Sequence, residues 1–173
     1  MSDSENKRTP LFSRHVGLGA KIVEFAGWDM PISYPTGIVA EHLATRRGAG
    51  LFDVSHMGRF VIRGAGAVRF LQHVLSNNVE ALTTQRLTAQ YTLIPDETGG
   101  AVDDAYLYHF VEDEYLLVVN AANRQKDWHH FQELLKDFDN VELVDCTDDM
   151  AMLALQGPKS REILEQVIQA GQL

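Results

Sequence analysis

Residues 88–120, TAQYTLIPDETGGAVDDAYLYHFVEDEYLLVVN, decide the fold. Three runs rich in aromatic and β-branched residues are separated by PDETGG (95–100) and VEDE (111–114). Connections this short join antiparallel neighbours, because a parallel crossover needs a dozen residues or more. Upstream, alternation around Gly58 to Ile62 reads as another strand, and GAGAVRFLQHVLSNNV (64–79) opens a helix with Val68, Leu71, His73, Val74 and Leu75 as its stripe. Downstream, AANRQKDWHHFQELLKDF (121–138) reads as an amphipathic helix burying Trp128, Phe131, Leu134 and Leu135. VELVDCTDDMAMLALQG (141–157) then supplies one or two strands. Strand, helix, two or three antiparallel strands, helix, strand predicts an α+β fold: antiparallel sheets with helices packed on one face.

The flanks are less regular. Residues 1–10 read as a disordered tail ending at Pro10, followed by a short helical turn and a strand or loop around Ile22 to Phe25. A Gly/Pro-punctuated loop comes next, anchored by Phe25, Trp28 and Tyr34. In GIVAEHLATRRGAG (37–50), Ile38, Val39, His42, Leu43 and Arg46 have helical spacing and the run ends in glycine. Pro158 suits the first turn of a last helix carrying Ile163, Leu164, Val167 and Ile168. The expected organisation is a discontinuous, incomplete first domain from 1–50 with 147–173, and an inserted α+β domain over 51–146. The last helix has no following strand to cover, so the chain is expected to be the front part of a longer protein with its C-terminal domain absent.

Composition narrows the function classes. Fifteen basic against twenty-four acidic residues leave a formal charge of -9, with no Lys/Arg cluster to track a phosphate backbone, which argues against nucleic acid. The single Cys146 excludes an intrachain disulfide and a cysteine-based zinc site, as expected in a reducing compartment. The opening MSDSENKRTP resembles neither a secretory signal nor an acidic-poor transit peptide, and no apolar run approaches the roughly 20 residues of a membrane span. The expectation is a soluble cytoplasmic protein with no membrane partner.

Within the deciding stretch, Asp103 and Asp104 occupy strand positions that favour aromatic or β-branched residues. Alternation sends one to each face, so covering either face desolvates a carboxylate, which is costly unless that group is paired or used. The plainer alternative is that both flank the Gly99-Gly100 turn. Other candidates are weaker. Gly64 and Gly66 precede a helix, but Arg69 stands where a dinucleotide fingerprint wants a third glycine. The seven histidines show no ligand spacing, so no metal is expected. Ser55-His56 in FDVSHMG (52–58) are sequence neighbours that point apart in extended chain, which favours a structural turn. Asn120, between an apolar strand and a helix, suits an N-cap or an amide aimed at a ligand.

In order along the chain, TPLFSRHVGLGAKIVEFAGWDMPISY, EHLATRRGAGLFDVSHMG, GGAVDDAYLYHF, VVNAANRQKD and MLALQGPKS resemble the signature segments of the aminomethyltransferase family, the T-protein of the glycine cleavage system. The resemblance runs from about Thr9 onward. It implies a three-domain ring around a folate channel, of which this chain supplies about the first half. It also implies transfer of the one-carbon unit from an aminomethyl-lipoyl carrier, the lipoylated H-protein, to tetrahydrofolate with release of ammonia. By the same resemblance Asp103 is the catalytic aspartate, and Tyr91, Met57, Asn120, Val102 and Val119 line the folate pocket. A fixed anion suits the chemistry, since expelling the leaving group passes through a cationic iminium-like centre. The later segments of the family pattern are absent, so the chain alone is expected to hold a one-sided pocket with little or no activity. Folate-dependent demethylases, the folate domains of dimethylglycine and sarcosine dehydrogenases, and non-enzymatic iron-sulfur maintenance relatives share the architecture and stand as alternatives.

Overall fold

The computed structural model describes residues 5–83, 88–111 and 113–168. The chain divides into two compact units, Met1–His56 with Ala151–Leu173, and Met57–Met150.

In the first unit a short helix α1 (Phe12–Gly17) precedes the antiparallel hairpin β1 (Lys21–Phe25) and β2 (Trp28–Ser33). The hairpin runs through the stretch read as a Gly/Pro-punctuated loop. Ala26 and Gly27 both take positive φ, 51° and 80°, which is the two-residue turn that matches strand twist. Pro31 is tolerated because β2 lies in a two-stranded sheet and so has a free edge. Helix α2 (Ile38–Arg47) ends at Gly48, and β3 (Gly50–Asp53) pairs antiparallel with β9 (Leu153–Gln156), which leads to α6 (Ser160–Val167). Pro158 lies just ahead of the N-cap of α6, Lys159. The disordered-tail expectation fails for residues 5–10, while residues 1–4 lie outside the described part. The Lys7 N–H donates to the Gly27 carbonyl and the Lys7 carbonyl accepts from Asp29, so this segment lies along β2, with Thr9 buried.

The second unit is a five-stranded antiparallel sheet in the order β5-β6-β7-β4-β8. Its elements are β4 (Gly58–Arg63), α3 (Ala67–Val74), α4 (Glu80–Thr83), β5 (Thr88–Pro95), β6 (Ala101–Val111), β7 (Glu114–Val119), α5 (Arg124–Leu135) and β8 (Glu142–Asp145). This is the α+β architecture that the three-strand stretch predicts. Phe60, Ile62, Leu107, Leu117 and Val119 of the sheet pack with Phe70, Leu71 and Val74 of α3 and Phe131 of α5 in one core. Phe131 meets Phe60 and Phe70 edge-on, each at 6.2 Å between ring centroids. His73, counted in the stripe of α3, is exposed instead.

Two glycines are needed for close approach. A Cβ on Gly64, where φ is +110°, would sit 2.4 Å from the Asn140 carbonyl oxygen, so the GAGA turn is a packing device. A Cβ on Gly58 would lie 2.5 Å from Val119 Cγ2 and 3.2 Å from Arg124 Cγ, so Gly58 lets the start of α5 come down onto the β4–β7 pair.

Candidate functional site

The candidate site lies within the second unit, around β6 and the turn that leads from β7 into α5. Alternation along β6 is clear from Asp103 onward: Asp103, Ala105, Leu107 and His109 are buried at 7, 4, 0 and 5% exposure, while Asp104 and Tyr106 are exposed. The covered face is the one packed on the helices, so the two aspartates have opposite settings.

Asp103 accepts three N–H bonds. The Asn120 backbone N–H reaches Oδ2 at 3.2 Å, and the side-chain amides of Asn120 and Asn123 reach Oδ1 at 2.9 and 2.7 Å. Burial pushes the Asp103 pKa up, but hydrogen bonds with Asn120, Asp127 and Asn123 outweigh it and hold the group below its ordinary value. The carboxylate is therefore ionised at neutral pH.

The Asn120 amide does more than satisfy Asp103. Its Nδ2 also lies 3.0 Å from Asp104 Oδ1 and 3.3 Å from the Asp104 carbonyl oxygen. One amide thus bridges the carboxylates of both faces. Asn120 is not the helix cap that its position suggests: the N-cap of α5 is Asn123, and no side chain closes it. Both amides are spent on aspartate, and the Asn123 N–H donates to the Asn120 carbonyl to close the turn.

On the open face, Tyr91 of β5 stands opposite Tyr106 across the ladder, with rings 6.2 Å apart, and Leu93 stands opposite Asp104. Partial desolvation, then the charge of Asp104 and a hydrogen bond to it, raise the pKa of the Tyr91 hydroxyl. Val102 is half-buried beside the register shift at Ile94–Pro95 and packs against the core, and its carbonyl accepts from Lys126 Nζ at 2.5 Å. Met57 is half-buried ahead of β4, its carbonyl held by Arg59 Nη1 at 2.8 Å. Arg59, itself buried, also donates to the carbonyls of Thr147 and Met150 and so ties the two ends of the unit.

Val119 is fully buried, pairs with Ala105 on the covered face and belongs to the core. Asp103, expected as the catalytic aspartate, is 7% exposed and bonded by Asn123 at the start of α5, and Asp104 is the more exposed carboxylate of the pair. The reason is that α5 covers the Asp103 face of the sheet, which alternation alone leaves undetermined. Ser55 behaves as the turn reading predicts: its N–H donates to Asp53 Oδ1 at 3.0 Å, and its hydroxyl bonds the Met152 main chain within the first unit.

Sequence reasoning missed Asn123 and Asp127. Asp127 is fully buried, and among the described residues no N–H or O–H donor reaches either of its oxygens. Burial, then the hydrogen bond and charge of Asp103, push its pKa up to about 8. The signal was present: Asp127 falls four residues before Phe131, on the stripe that should have been apolar.

Comparison with known proteins shows the family of the chain. A sequence profile described as the GCVT N-terminal domain matches residues 11–172. An aminomethyltransferase of Deinococcus deserti is 53% identical over 159 residues, covering 92% of this chain and 43% of that protein. One from Thermus thermophilus is 52% identical over 162 residues, covering 94% and 45%. The crystal structure of the glycine cleavage system aminomethyltransferase T from Bartonella henselae superposes with a TM-score of 0.88 at 35% identity, over 96% of this chain and 45% of that one. The chain thus spans less than half the length of these relatives. By the profile match over nearly its whole length, the chain belongs to the GCVT N-terminal domain family.

Proposed function

We propose that this chain is the N-terminal part of a tetrahydrofolate-dependent aminomethyltransferase of the glycine cleavage system. In this reading it helps transfer the one-carbon unit of an aminomethyl group, carried on a lipoylated H-protein, to tetrahydrofolate in the cytoplasm, with release of ammonia. The activity is supported by the relatives, which are aminomethyltransferases. The observation that carries it to particular residues is the Asn120 amide shared between Asp103 and Asp104.

The residues divide the work. Asp104 is the carboxylate that meets the substrate, presented beside the Tyr91–Tyr106 wall, where a flat heteroaromatic ring can lie against the tyrosines. As an anion fixed next to a centre that develops positive charge, it stabilises that charge without reorganisation and can hold a proton at the attacking nitrogen. Asp103, first expected in that role, acts beneath it as a positioning residue, since its filled hydrogen-bond set locks Asn120 and hence Asp104. Met57 bounds the same face, and Val102 and Val119 support it from the core. Tetrahydrofolate is a substrate here, and no step calls for a metal.

The test is calorimetric titration of the chain with folinic acid, a stable reduced folate, beside Asp104→Asn and Asp103→Asn. Saturable binding that weakens in both variants supports the reading. Binding of equal strength in all three proteins removes the aspartate pair from the site.

A further inference from the structure

The open face of the second unit carries one row of side chains across four strands. Tyr91 of β5 stands opposite Tyr106 of β6, Tyr106 opposite Val118 of β7, and Val118 opposite Arg59 of β4. Exposure falls along that row, from 52% at Tyr91 and 45% at Tyr106 to 6% at Val118 and 2% at Arg59. Val118 alternates away from the core members Leu117 and Val119, so what covers it lies on the open face. The row is thus a platform with an open end at Tyr91 and a closed end at Arg59.

Arg59 builds the closed end. Its Nη1 donates to the Met57 carbonyl at 2.8 Å, and its Nη2 donates to the carbonyls of Met150, at 2.6 Å, and Thr147. The main chain makes the same connection: the Arg59 N–H donates to Thr147 Oγ1 at 2.9 Å, and the Cys146 N–H donates to the Arg59 carbonyl. A buried guanidinium is costly unless its donors are used, and an apolar side chain is the ordinary occupant, as with Val61 two positions further along the same face. What the guanidinium adds is reach. Its planar fork holds three carbonyls in one geometry, which an ammonium on a flexible stem does not. Met57 matters most for the site, because it lies one step before the Gly58–Val119 pair and so falls beside Asn120. The peptide after Met57 leads into glycine, the residue with the least backbone restraint, and Gly58 is held to that identity by its approach to Val119. Arg59 supplies the missing restraint.

We propose that Arg59 is a positioning residue of the folate platform: its guanidinium pins Met57 and the 147–150 segment at the β4 end of the Tyr91–Tyr106–Val118 row, and so sets where a ring lying on the tyrosines is stopped. The effect on the ligand rests on the folate reading above, whereas the pinning of Met57 does not.

The experiment is carbon NMR of the chain labelled at methionine methyl groups, in the parent, Arg59→Lys and Thr147→Val, with the Tyr91 amide followed as folinic acid is added. Urea unfolding of the same samples reports which variants are folded. Thr147→Val is isosteric, keeps the guanidinium and removes the acceptor of the Arg59 N–H, so it loosens the same segment by a smaller change. The expected result is a Met57 methyl that shifts saturably in the parent and has already moved in the free Arg59→Lys chain. Folinic acid binding weakens about tenfold or more in Arg59→Lys, as for a lost hydrogen bond to a charged group, and less in Thr147→Val. At saturation the Tyr91 shift of Arg59→Lys matches the parent while the Met57 shift differs, which separates positioning from a general loss of structure. A folded Arg59→Lys with parental affinity, or with an unmoved Met57 methyl, overturns the proposal. So do saturating shifts altered equally at both ends of the platform. If Arg59→Lys does not fold, a Thr147→Val chain with parental affinity and an unmoved Met57 methyl overturns it. Absence of folinic acid binding in the parent defeats the folate reading, while the Met57 methyl of the free variants still decides the pinning.

Discussion

Asn120 Nδ2 lies 2.9 Å from Asp103 Oδ1 and 3.0 Å from Asp104 Oδ1, so a single amide holds carboxylates that β6 sends to opposite faces of the sheet. The buried and the exposed aspartate thereby share one donor group.

Asn120→Ala removes that bridge. Asp103 keeps the Asn123 amide and one backbone N–H, and the loss of a hydrogen bond to a buried charge costs about 1.5–3 kcal/mol of stability. Folinic acid affinity falls with it, since Asp104 is no longer held. Urea unfolding and calorimetry on the same variant check both expectations.

The two aspartates separate by substitution. Asp103→Ala strands the donors of Asn120 and Asn123 in a buried setting and destabilises the chain by about 3 kcal/mol or more. Asp104→Ala, at an exposed position, changes stability by about 0.5 kcal/mol or less, yet weakens folinic acid binding. Equal stability losses in the two variants would contradict the difference in burial.

Asp127 is expected to make the chain less stable as pH rises above the mildly acidic range. The Asp127 pKa rises from about 3.9 when unfolded to about 8 when folded. Between those values the native state binds more protons than the unfolded state, so stability falls as pH rises, by at most about 1.4 kcal/mol per pH unit, and levels off above the folded value. Asp103 acts in the other direction: its depressed pKa gives stability that is present above the unfolded value and is lost as pH falls through the folded one. Urea titrations across this range should show the alkaline loss in the parent chain, and Asp127→Asn should flatten it.

Gly58→Ala forces a Cβ to within 2.5 Å of Val119 Cγ2 and against Arg124. Overpacking of this kind costs about 1–3 kcal/mol. Because relief requires α5 to move off the sheet, the variant should also weaken the Asn123–Asp103 bond, visible as a shifted Asn123 amide resonance. An unshifted amide would mean that the start of α5 does not depend on this approach.

Much of the fold was legible because its signals are local. Short polar turns between β-rich runs give the β5-β6-β7 meander, and the stripe of α5 is displaced only by Asp127. The hairpin at Ala26-Gly27 was missed because non-glycine positive φ is rare and Pro31 argued against a strand. The candidate site drew attention as a pair of aspartates in a strand, but its arrangement was not legible. Period-two alternation states that Asp103 and Asp104 diverge, but which of them is covered depends on where α5 lands, a contact about 20 residues away in sequence. Asp127 was hidden for the same reason, since a carboxylate at a core position becomes meaningful only once its partner across the layer is known.

The central claim is that the open face of β5 and β6 meets the folate. It is tested most directly by backbone amide NMR of the chain during titration with folinic acid. The account predicts saturable shifts centred on Tyr91, Val102, Asp104, Tyr106 and Asn120, which are lost in Asp104→Asn. Saturable shifts confined to residues away from this face, with these five unmoved, would contradict it.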